Sequence, residues 1–483
     1  MKSTKTVIVL GGGFTGVAAA VGLARRSPIA LEVEVVEPRA EVGRGVAYSA
    51  RHRDHRLNAP MATHFIVPEE PEALERWFEA NVGLERDPEA RAFDDSIFLR
   101  RADFGAFMLH EFERHRAGNP SGTMLRHRRD AAVDVFRDGD GFAVVLAGGG
   151  QLRGDAVVVT TSNDRPTAPF PFANRLEAHP AFLADPWDVD AIEAVDAGAR
   201  VLLVGAGLTA ADVVAALVRQ GHRGLITSLS RRGFRPSSRP RSHATLPQPI
   251  WERLGLTPSL FTARHGRLET VRAVLRAVRG DVARAAADGV PWQSAFDDLR
   301  DSAREVWLGL PVTEKRRYMR HLRPFYDVHR FRYPPQTEEQ LLAAEARGIL
   351  ERCSGRLLEA ADADGRLKVR WEDRASGAVR DEAFDAVVSC VGPETRPRES
   401  ANPALHALLD RGLARASPLG IGLDVDVESR ALGRDGLGVA RLFVMGPLTF
   451  ATFGYPLGAA FIVSQIAAAL PHVFKDLGLS DCP

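Results

Sequence analysis

Twice in this chain a short apolar strand runs through a glycine turn into an alanine-rich helix: VIVLGGGFTGVAAA, from Val7, and VLLVGAGLTAADVV, from Val201. Few features constrain a fold as tightly, because such a turn leaves helix amides aimed at the space where a pyrophosphate fits. Each glycine has its own duty: a tight turn, close approach of phosphate to backbone, and close contact of helix with strand. In the first copy these are Gly11, Gly13 and Gly16, with Phe14 and Thr15 opening the helix. In the second they are Gly205, Gly207 and Ala210, with Leu208 and Thr209 in the same place. The pair predicts an α/β protein with two Rossmann-like, three-layer domains, one for each dinucleotide.

The two units differ where their second strands end. LEVEVVEP closes on Glu37, 21 residues after Gly16, with Arg39 just beyond. A carboxylate there accepts hydrogen bonds from an adenosine ribose and suits a dinucleotide without a 2′-phosphate, which FAD is. LITSLS closes instead on Ser230, Arg231 and Arg232. A hydroxyl and two guanidiniums suit a 2′-phosphate and point to NADPH, although a solvated arginine pair at a strand end has the same sequence.

At 483 residues the chain exceeds one hydrophobic core, so two or three domains are expected. Its 63 basic and 62 acidic side chains leave a net charge of +1, which offers no general attraction to nucleic acid or to an anionic membrane. Cys353, Cys390 and Cys482 are too widely spaced for a disulfide framework, a zinc site or a C-x-x-C dithiol, and no metal is expected. Lys2 and Lys5 precede an apolar stretch, but the glycine turn within it and Arg25-Arg26 after it read as mature structure rather than a signal peptide. No charge occurs from Leu442 to Pro471, yet Gly446, Pro447, Gly454, Pro456 and Gly458 interrupt that run. A strand, a buried loop and a helix are expected there rather than a membrane span, and the chain reads as cytoplasmic.

Three longer stretches carry a resemblance: PRAEVGRGVAYSARHRDHRLNAPMATHFIVPEEPEALERWF after Glu37, VWLGLPVTEKRRYMRHLRPFYDVHRFRYPP from Val306, and FDAVVSCVGPET from Phe384. With these the chain resembles a bacterial FAD/NAD(P)-binding protein family, two-dinucleotide flavoproteins related to the N-hydroxylating and flavin-containing monooxygenases. The resemblance implies FAD and NAD(P)H. It places Gly43, Gly45, Val46, Ala47 and Tyr48 beside the FAD pyrophosphate and ring. Leu57 and Asn58 follow, with Asn58 close to flavin and nicotinamide as the candidate catalytic residue; its amide both donates and accepts, and a turn role is its alternative. Val133, Thr161, Gly446 and Gly458 complete the implied FAD contacts. Thr161 and Ser162 stand where such proteins carry Thr-Gly, and Pro447 stands where many carry Asp, so the ribityl chain needs another partner there. The helix through Ala459 to Ala469 is expected to aim its N-terminus at the flavin. The signature F-x-G-x-x-x-H is absent: Phe172 and His179 lack both glycine and spacing.

The expected organisation is a discontinuous FAD domain, residues 1–190 and 385–483, into which an NADPH domain is inserted, residues 196–240 and 345–384. Residues 241–344 form a helical insertion, a candidate substrate cap. VFRDGDGFAVVLAGGGQLRGDAVVV reads as a hairpin layer. In the insertion, RRYMRHLRPFYDVHRFR places Arg320, His321, Arg323, His329, Arg330 and Arg332 close together. Arg323 and Arg330 are candidates for a substrate carboxylate. Equally, Met319, Leu322, Tyr326 and His329 fall at helical spacing, which would make the basic residues one wet face. His52, His55 and His64 have weaker claims. The expected reaction uses NADPH and O2 to form a flavin C4a-(hydro)peroxide and oxygenate a small nucleophilic substrate, with the amine of an amino acid as one case. An NAD(P)H:acceptor dehydrogenase and a redox-responsive binding protein are the alternatives; oligomeric state stays open.

Overall fold

A strand buried on both faces of a parallel sheet has no polar face to show, and TVIVL has none: Val7, Ile8 and Val9 are fully buried. The computed structural model describes residues 4–162, 164, 166–173, 175–240, 260–454 and 458–479. The first βαβ unit is β1 (Lys5–Leu10), α1 (Phe14–Arg26) and β2 (Leu31–Val36). The chain then passes through α2 (Ala73–Asn81), α3 (Gly83–Arg86) and α4 (Arg101–Ala117) to β3 (Met124–Arg128). Next come the antiparallel meander β4 (Ala132–Asp138), β5 (Gly141–Leu146) and β6 (Gln151–Gly154), and then β7 (Ala156–Val159). The second unit holds β8 (Phe182–Leu183), α5 (Val189–Glu193), β9 (Val201–Val204), α6 (Leu208–Arg219) and β10 (Ile226–Ser230). After the insertion it resumes with β11 (Leu350–Ala363), β12 (Arg366–Asp373), β13 (Val379–Phe384) and β14 (Ala386–Ser389). The pair β15 (Arg430–Leu432) and β16 (Gly438–Val444) precedes the long helix Ala459–Asp476.

These strands make two large sheets, ordered β15-β16-β7-β1-β2-β3 and β13-β12-β11-β10-β9-β14-β8. Around each glycine turn the pairing is parallel, Val7 opposite Val33 and Ala156 in the first sheet, and Val201 opposite Ile226 and Ala386 in the second. Alternation along β1 sends Val7 and Val9 into one core with α1, α4 and the C-terminal helix. Ile8 and Leu10 point the other way, onto Val135, Phe142 and Val144 of the meander and Leu405 and Leu408 of helix Pro403–Asp410. The result is three layers. The second sheet repeats the scheme, with α6 and helix Pro335–Ala346 on one face and Phe172, Phe182, Trp371 and Phe384 on the other.

The boundaries differ from the sequence expectation at both crossings. β8, before residue 196, pairs with β14, and β14, after residue 385, pairs with β9, so the second unit is longer at both ends. Asp385 belongs to it by its own bonds, its carboxylate accepting from the Arg200 amide at 2.7 Å. The outgoing and returning connections lie side by side, Asp164 bridging Glu394 in antiparallel sense.

Of the 241–344 insertion, residues 241–259 lie outside the described residues, as do Pro456 and Cys482. Its helices include Val271–Ala287, Gln293–Asp301, Ala303–Gly309, Val312–His321 and Arg323–Arg330. The single amphipathic helix expected around Leu322 is two, because Pro324 takes the second position of a new helix. Met319 and Leu322 accordingly pack on the cluster of Val271, Trp307 and Leu310, whereas Tyr326 joins Phe261, Val278 and Leu299. Trp307 ties the insertion to the C-terminal segment: its Nε1 donates to the Ala451 carbonyl at 3.0 Å and its ring stacks on Phe450 at 5.7 Å. No helix among the described residues is long and apolar enough to cross a membrane.

Candidate functional site

The first turn is built so that its helix begins without a cap. Gly13 stands at the N-cap of α1 with extended backbone and no side chain to satisfy the first amides. A Cβ on Gly16 would lie 1.9 Å from the Gly11 carbonyl oxygen, and Gly11 itself has φ +99°. On Gly13 a Cβ would meet only Gly45, its Cα at 3.5 Å and its amide nitrogen at 4.0 Å. The turn and the loop of Gly43 to Tyr48 are thus the two walls of a narrow groove, pinned by the Gly43 amide donating to the Gly12 carbonyl at 2.6 Å. Val46 and Ala47 are exposed on its rim.

Glu37 sits buried at the tip of β2, where Oε2 accepts from the Gly12 amide at 2.9 Å. Oε1 accepts from the Arg39 amide at 3.1 Å and its guanidinium at 3.2 Å. At the end of β7 the Thr161 hydroxyl is buried with no partner among the described residues, and a Cβ on Gly11 would stand 3.1 Å from its amide nitrogen. Uncapped helix amides, an orphaned hydroxyl and glycine in both walls fit a dinucleotide pyrophosphate. Phe14 and Tyr48 pack edge to face at 6.2 Å, and Tyr48 meets Phe104 at 4.7 Å; burial pushes the Tyr48 hydroxyl up to about 12. Leu57 is buried beside them in the same core. Val133 stands at the irregularity in β4–β5 pairing between Ala132 and Asp134. Gly446, at φ +84°, leaves room for Thr15, whose Oγ1 would lie 2.6 Å from an added Cβ. Its amide is already used, donating to Gln465 Oε1 at 2.9 Å. Gln465, a buried polar residue in an apolar helix that the sequence reading passed over, also donates to Thr449 Oγ1 at 3.1 Å. Gly458 is the uncapped start of that helix.

The second turn repeats the design. Gly205 has φ +134°, and a Cβ there would strike the Cys390 carbonyl oxygen at 2.5 Å. Gly207, the N-cap of α6, again lacks a side-chain cap and faces open space. Leu208 and Thr209 follow half-buried. Beyond β10, the Ser230 hydroxyl accepts from the Gly233 amide at 3.1 Å. Arg231 is exposed, and the Arg232 guanidinium lies 5.2 Å from the Phe325 ring centre. A third guanidinium, Arg374, donates to the Arg231 carbonyl at 2.8 Å. It lies 143 residues further on, in the turn after β12, where no local signal marks it.

Asn58 occupies the seam between the units. Its Oδ1 is 3.5 Å from Arg101 Nη2, and that same nitrogen is 2.8 Å from Asp212 Oδ2 on α6. Arg101 also donates to the Arg56 carbonyl at 3.0 Å and lies 4.9 Å over the Trp187 ring. Burial pushes the Asp212 carboxyl up to about 6, against the opposing pull of Arg101. The Asn58 carbonyl accepts from Arg239 Nη2, and Arg239 Nε donates to the Tyr333 carbonyl at 3.1 Å. Farther out, Arg219 of α6 clasps Asp54 through contacts of 2.7 and 2.6 Å and reaches Glu89 at 2.9 Å. Of the histidines nearby, burial lowers His55 to about 3 and His64 to about 4, and His52 is lowered as well, so they stand neutral. Among the described residues no three His, Cys, Asp or Glu are grouped to hold a metal ion.

The basic stretch of the insertion divides. Arg320 and His321 are exposed, Arg323 faces Asp327 at 3.3 Å, and Arg330 and Arg332 turn inward, so a single wet face does not describe them.

Residues 7–164 match the FAD-NAD(P)-binding family. No curated protein sequence matches the chain. Solved structures with the same fold include the ornithine N-hydroxylase of Kutzneria sp. 744, in complex with reduced FAD, NADP+ and L-ornithine (13% identity, 98% of this chain and 99% of that one, TM-score 0.63). The ornithine hydroxylase of Pseudomonas aeruginosa is similar (14% identity, 99% of each chain, TM-score 0.63), as is the L-lysine 6-monooxygenase of Pseudomonas syringae (16% identity, 99% of each chain, TM-score 0.58). The match to the FAD-NAD(P)-binding family thus covers residues 7–164, while over its whole length the chain has the fold of these two-dinucleotide flavoproteins.

Proposed function

We propose that the protein is an FAD-dependent, NADPH-consuming monooxygenase that transfers one oxygen atom of O2 to a nucleophilic atom of a small substrate, with an amine of an amino acid as the favoured case. The observation that carries this reading is the position of Asn58, tied through Arg101 to the helix of the second glycine turn while its own loop continues from the wall of the first. Two dinucleotides bound by their turns would meet there, and an amide at that point can donate to one ring and accept from the other. Bound FAD supplies the redox chemistry: it takes two electrons from the nicotinamide and activates O2.

The protein's share is placement and dryness. Gly11, Gly13, Gly16, Gly45 and Thr161 hold the flavin dinucleotide, with Glu37 and Arg39 at its ribose end. Gly205, Gly207, Leu208 and Thr209 hold the reductant, with Ser230, Arg231 and Arg232 at a 2′-phosphate. Phe14, Tyr48 and Phe104 wall the first site with apolar rings, which excludes water from the reacting edge. The hydroxylases of like fold named above support the same reading. In the balanced reaction NADPH, a proton, O2 and substrate give NADP+, water and the oxygenated product. A panel of amines and amino acids tests it: with the right compound, NADPH and O2 consumed and product formed should stand one to one to one. H2O2 equal to the NADPH consumed with every compound would overturn the proposal.

A further inference from the structure

Arg101 stands where its own helix has no use for it. It is the first residue of α4, and a cation at a helix N-terminus lies against the macrodipole. Its side chain is nonetheless only 6% exposed, so its place is set by what it reaches. The Arg101 amide donates to the His55 carbonyl at 2.8 Å and Nε to the Arg56 carbonyl at 3.0 Å, which stitches the segment before Asn58 to the start of α4. Nη2 lies between Asp212 Oδ2, at 2.8 Å, and Asn58 Oδ1, at 3.5 Å. Asp212 is equally foreign to its helix: a buried carboxylate among Ala210, Ala211, Val213 and Val214 of α6, a little over one turn beyond the N-cap Gly207. Its ion pair with Arg101 crosses from the second unit to the first. The loop itself is held by other means. Arg56 is clamped by Asp87 at 2.9 and 2.8 Å, and the Asn58 carbonyl accepts from Arg239. What remains for Arg101 to govern is the Asn58 side chain.

A guanidinium only donates, so the atom it holds on the Asn58 amide is the oxygen, and the amino group is the end left over. Nδ2 makes no hydrogen bond among the described residues. We infer that Arg101 is a positioning residue that makes Asn58 answer to the second glycine turn: Asp212 holds the guanidinium, the guanidinium holds Oδ1, and Nδ2 is thereby fixed as the donor. The two contacts of Nη2 are unequal. The one to Asp212 has full hydrogen-bond length, whereas the one to Asn58 is about 0.5 Å longer than usual. A coenzyme seated on Gly207 bears on the same helix that carries Asp212, so any shift of α6 toward the first unit shortens the weaker contact. This deepens the proposed function and rests on it for the two bound dinucleotides, not for the fate of oxygen.

The test uses the full-length, FAD-loaded protein at equilibrium. NADP+ is titrated while the visible absorption of the oxidised flavin is followed, which gives both a Kd and the size of the flavin perturbation. In the wild type NADP+ should perturb the flavin, and in Asn58→Ala most of that perturbation should vanish. The charge-compensated variant Arg101→Met/Asp212→Leu should lose it to the same extent with an NADP+ Kd within about threefold of wild type, since the second turn itself is untouched. Adding Asn58→Ala to that variant should take away nothing further. Arg101→Lys keeps a charge beside Asp212 but not the fork that reaches Asn58 as well, and should behave alike. Without O2, NADPH should reduce the flavin of these variants with a limiting rate lowered about tenfold or more and a Kd little changed. A wild-type perturbation in Arg101→Met/Asp212→Leu or Arg101→Lys, a wild-type flavin indifferent to NADP+, or losses that multiply in the triple variant would overturn the inference. So would loss of FAD from both Arg101 variants, because the arginine would then serve the fold alone. None of these readings involves O2, so the inference and the oxygen stoichiometry can fail independently.

Discussion

Replacing Gly207 by alanine separates what the second turn does for packing from what it does for binding. An added methyl there meets nothing within 4 Å, and the backbone at φ −86° is one that alanine adopts freely. Alanine is a poorer N-cap than glycine by up to about 1 kcal/mol. It also restrains the unfolded chain, which returns roughly 0.4–1 kcal/mol. Folding stability should therefore change by less than about 1 kcal/mol. Two residues earlier the same change is severe: Gly205→Ala places an L residue at φ +134° with its Cβ 2.5 Å from the Cys390 carbonyl oxygen. The backbone strain alone costs about 1–3 kcal/mol, before the clash is relieved. If the open space at Gly207 receives a pyrophosphate, its methyl removes at least one hydrogen bond to a charged group, about 1.5–3 kcal/mol. NADP+ should then bind about 10- to 150-fold more weakly. Urea melts and calorimetric titration of the FAD-loaded Gly207→Ala protein with NADP+ read the two quantities separately. Wild-type NADP+ affinity in that protein, or a stability loss as large as that of Gly205→Ala, would refute the reasoning. Gly13 and Gly16 offer the same contrast in the first turn, at 3.5 Å and 1.9 Å, with retained FAD as the readout.

Arg231→Ala should raise the NADPH Kd by about tenfold or more and leave the NADH Kd nearly unchanged; an unaltered preference would detach Arg231 from the 2′-phosphate. Asp212→Leu leaves Arg101 buried without its counter-charge and should cost about 3–5 kcal/mol in urea melts, most of it restored by adding Arg101→Met; no loss in the single variant would mean that the pair does not join the units. Burial lowers His55 to about 3 from 6.5, so its neutral form gives stability that is full above about pH 6.5 and is lost as pH falls toward 3. His55→Phe should therefore flatten the acid limb of stability between pH 6.5 and 4, where the raised carboxyl of Asp212 acts in the opposite sense; an unchanged limb counts against a neutral buried imidazole. Trp307→Ala removes a hydrogen bond and a stacked ring at the docking face of the insertion, and about 3–5 kcal/mol with them. Hydrogen exchange should quicken in helix Ala303–Gly309 first; uniform exchange would deny that face its role.

Local chemistry in the chain was readable where it dictates local geometry. The two turns, their flanking strands, the meander and the helix after the uncharged run all follow from neighbours within about ten residues, through glycine, alternation and periodicity. The break at Leu322 is also local and marked by Pro324, but apolar spacing across it imitates one continuous helix. What could not be read are pairings between distant segments. Arg101 meets Asp212, Arg239 meets Asn58 and Arg374 meets Arg231, each joining parts of the chain more than 100 residues apart. The same holds for β8 and β14, two very short strands whose membership in the second sheet is decided by partners alone. Gln465 shows the converse: one amide in an apolar helix gives no sign of its role until the Gly446 amide is brought to it.

Because the polypeptide passes between the two sheets at one place, with Asp164 and Glu394 abreast, the second unit is hung like a door on a single jamb. A swivel about that jamb would have to break the other ties between the units: the buried Arg101–Asp212 pair, the Trp307 bond to the Ala451 carbonyl, and the grip of Arg219 on Asp54 and Glu89. The Arg219 contacts are the half-exposed ones among these ties, so rising ionic strength should loosen that grip first and leave the buried Arg101–Asp212 pair in place.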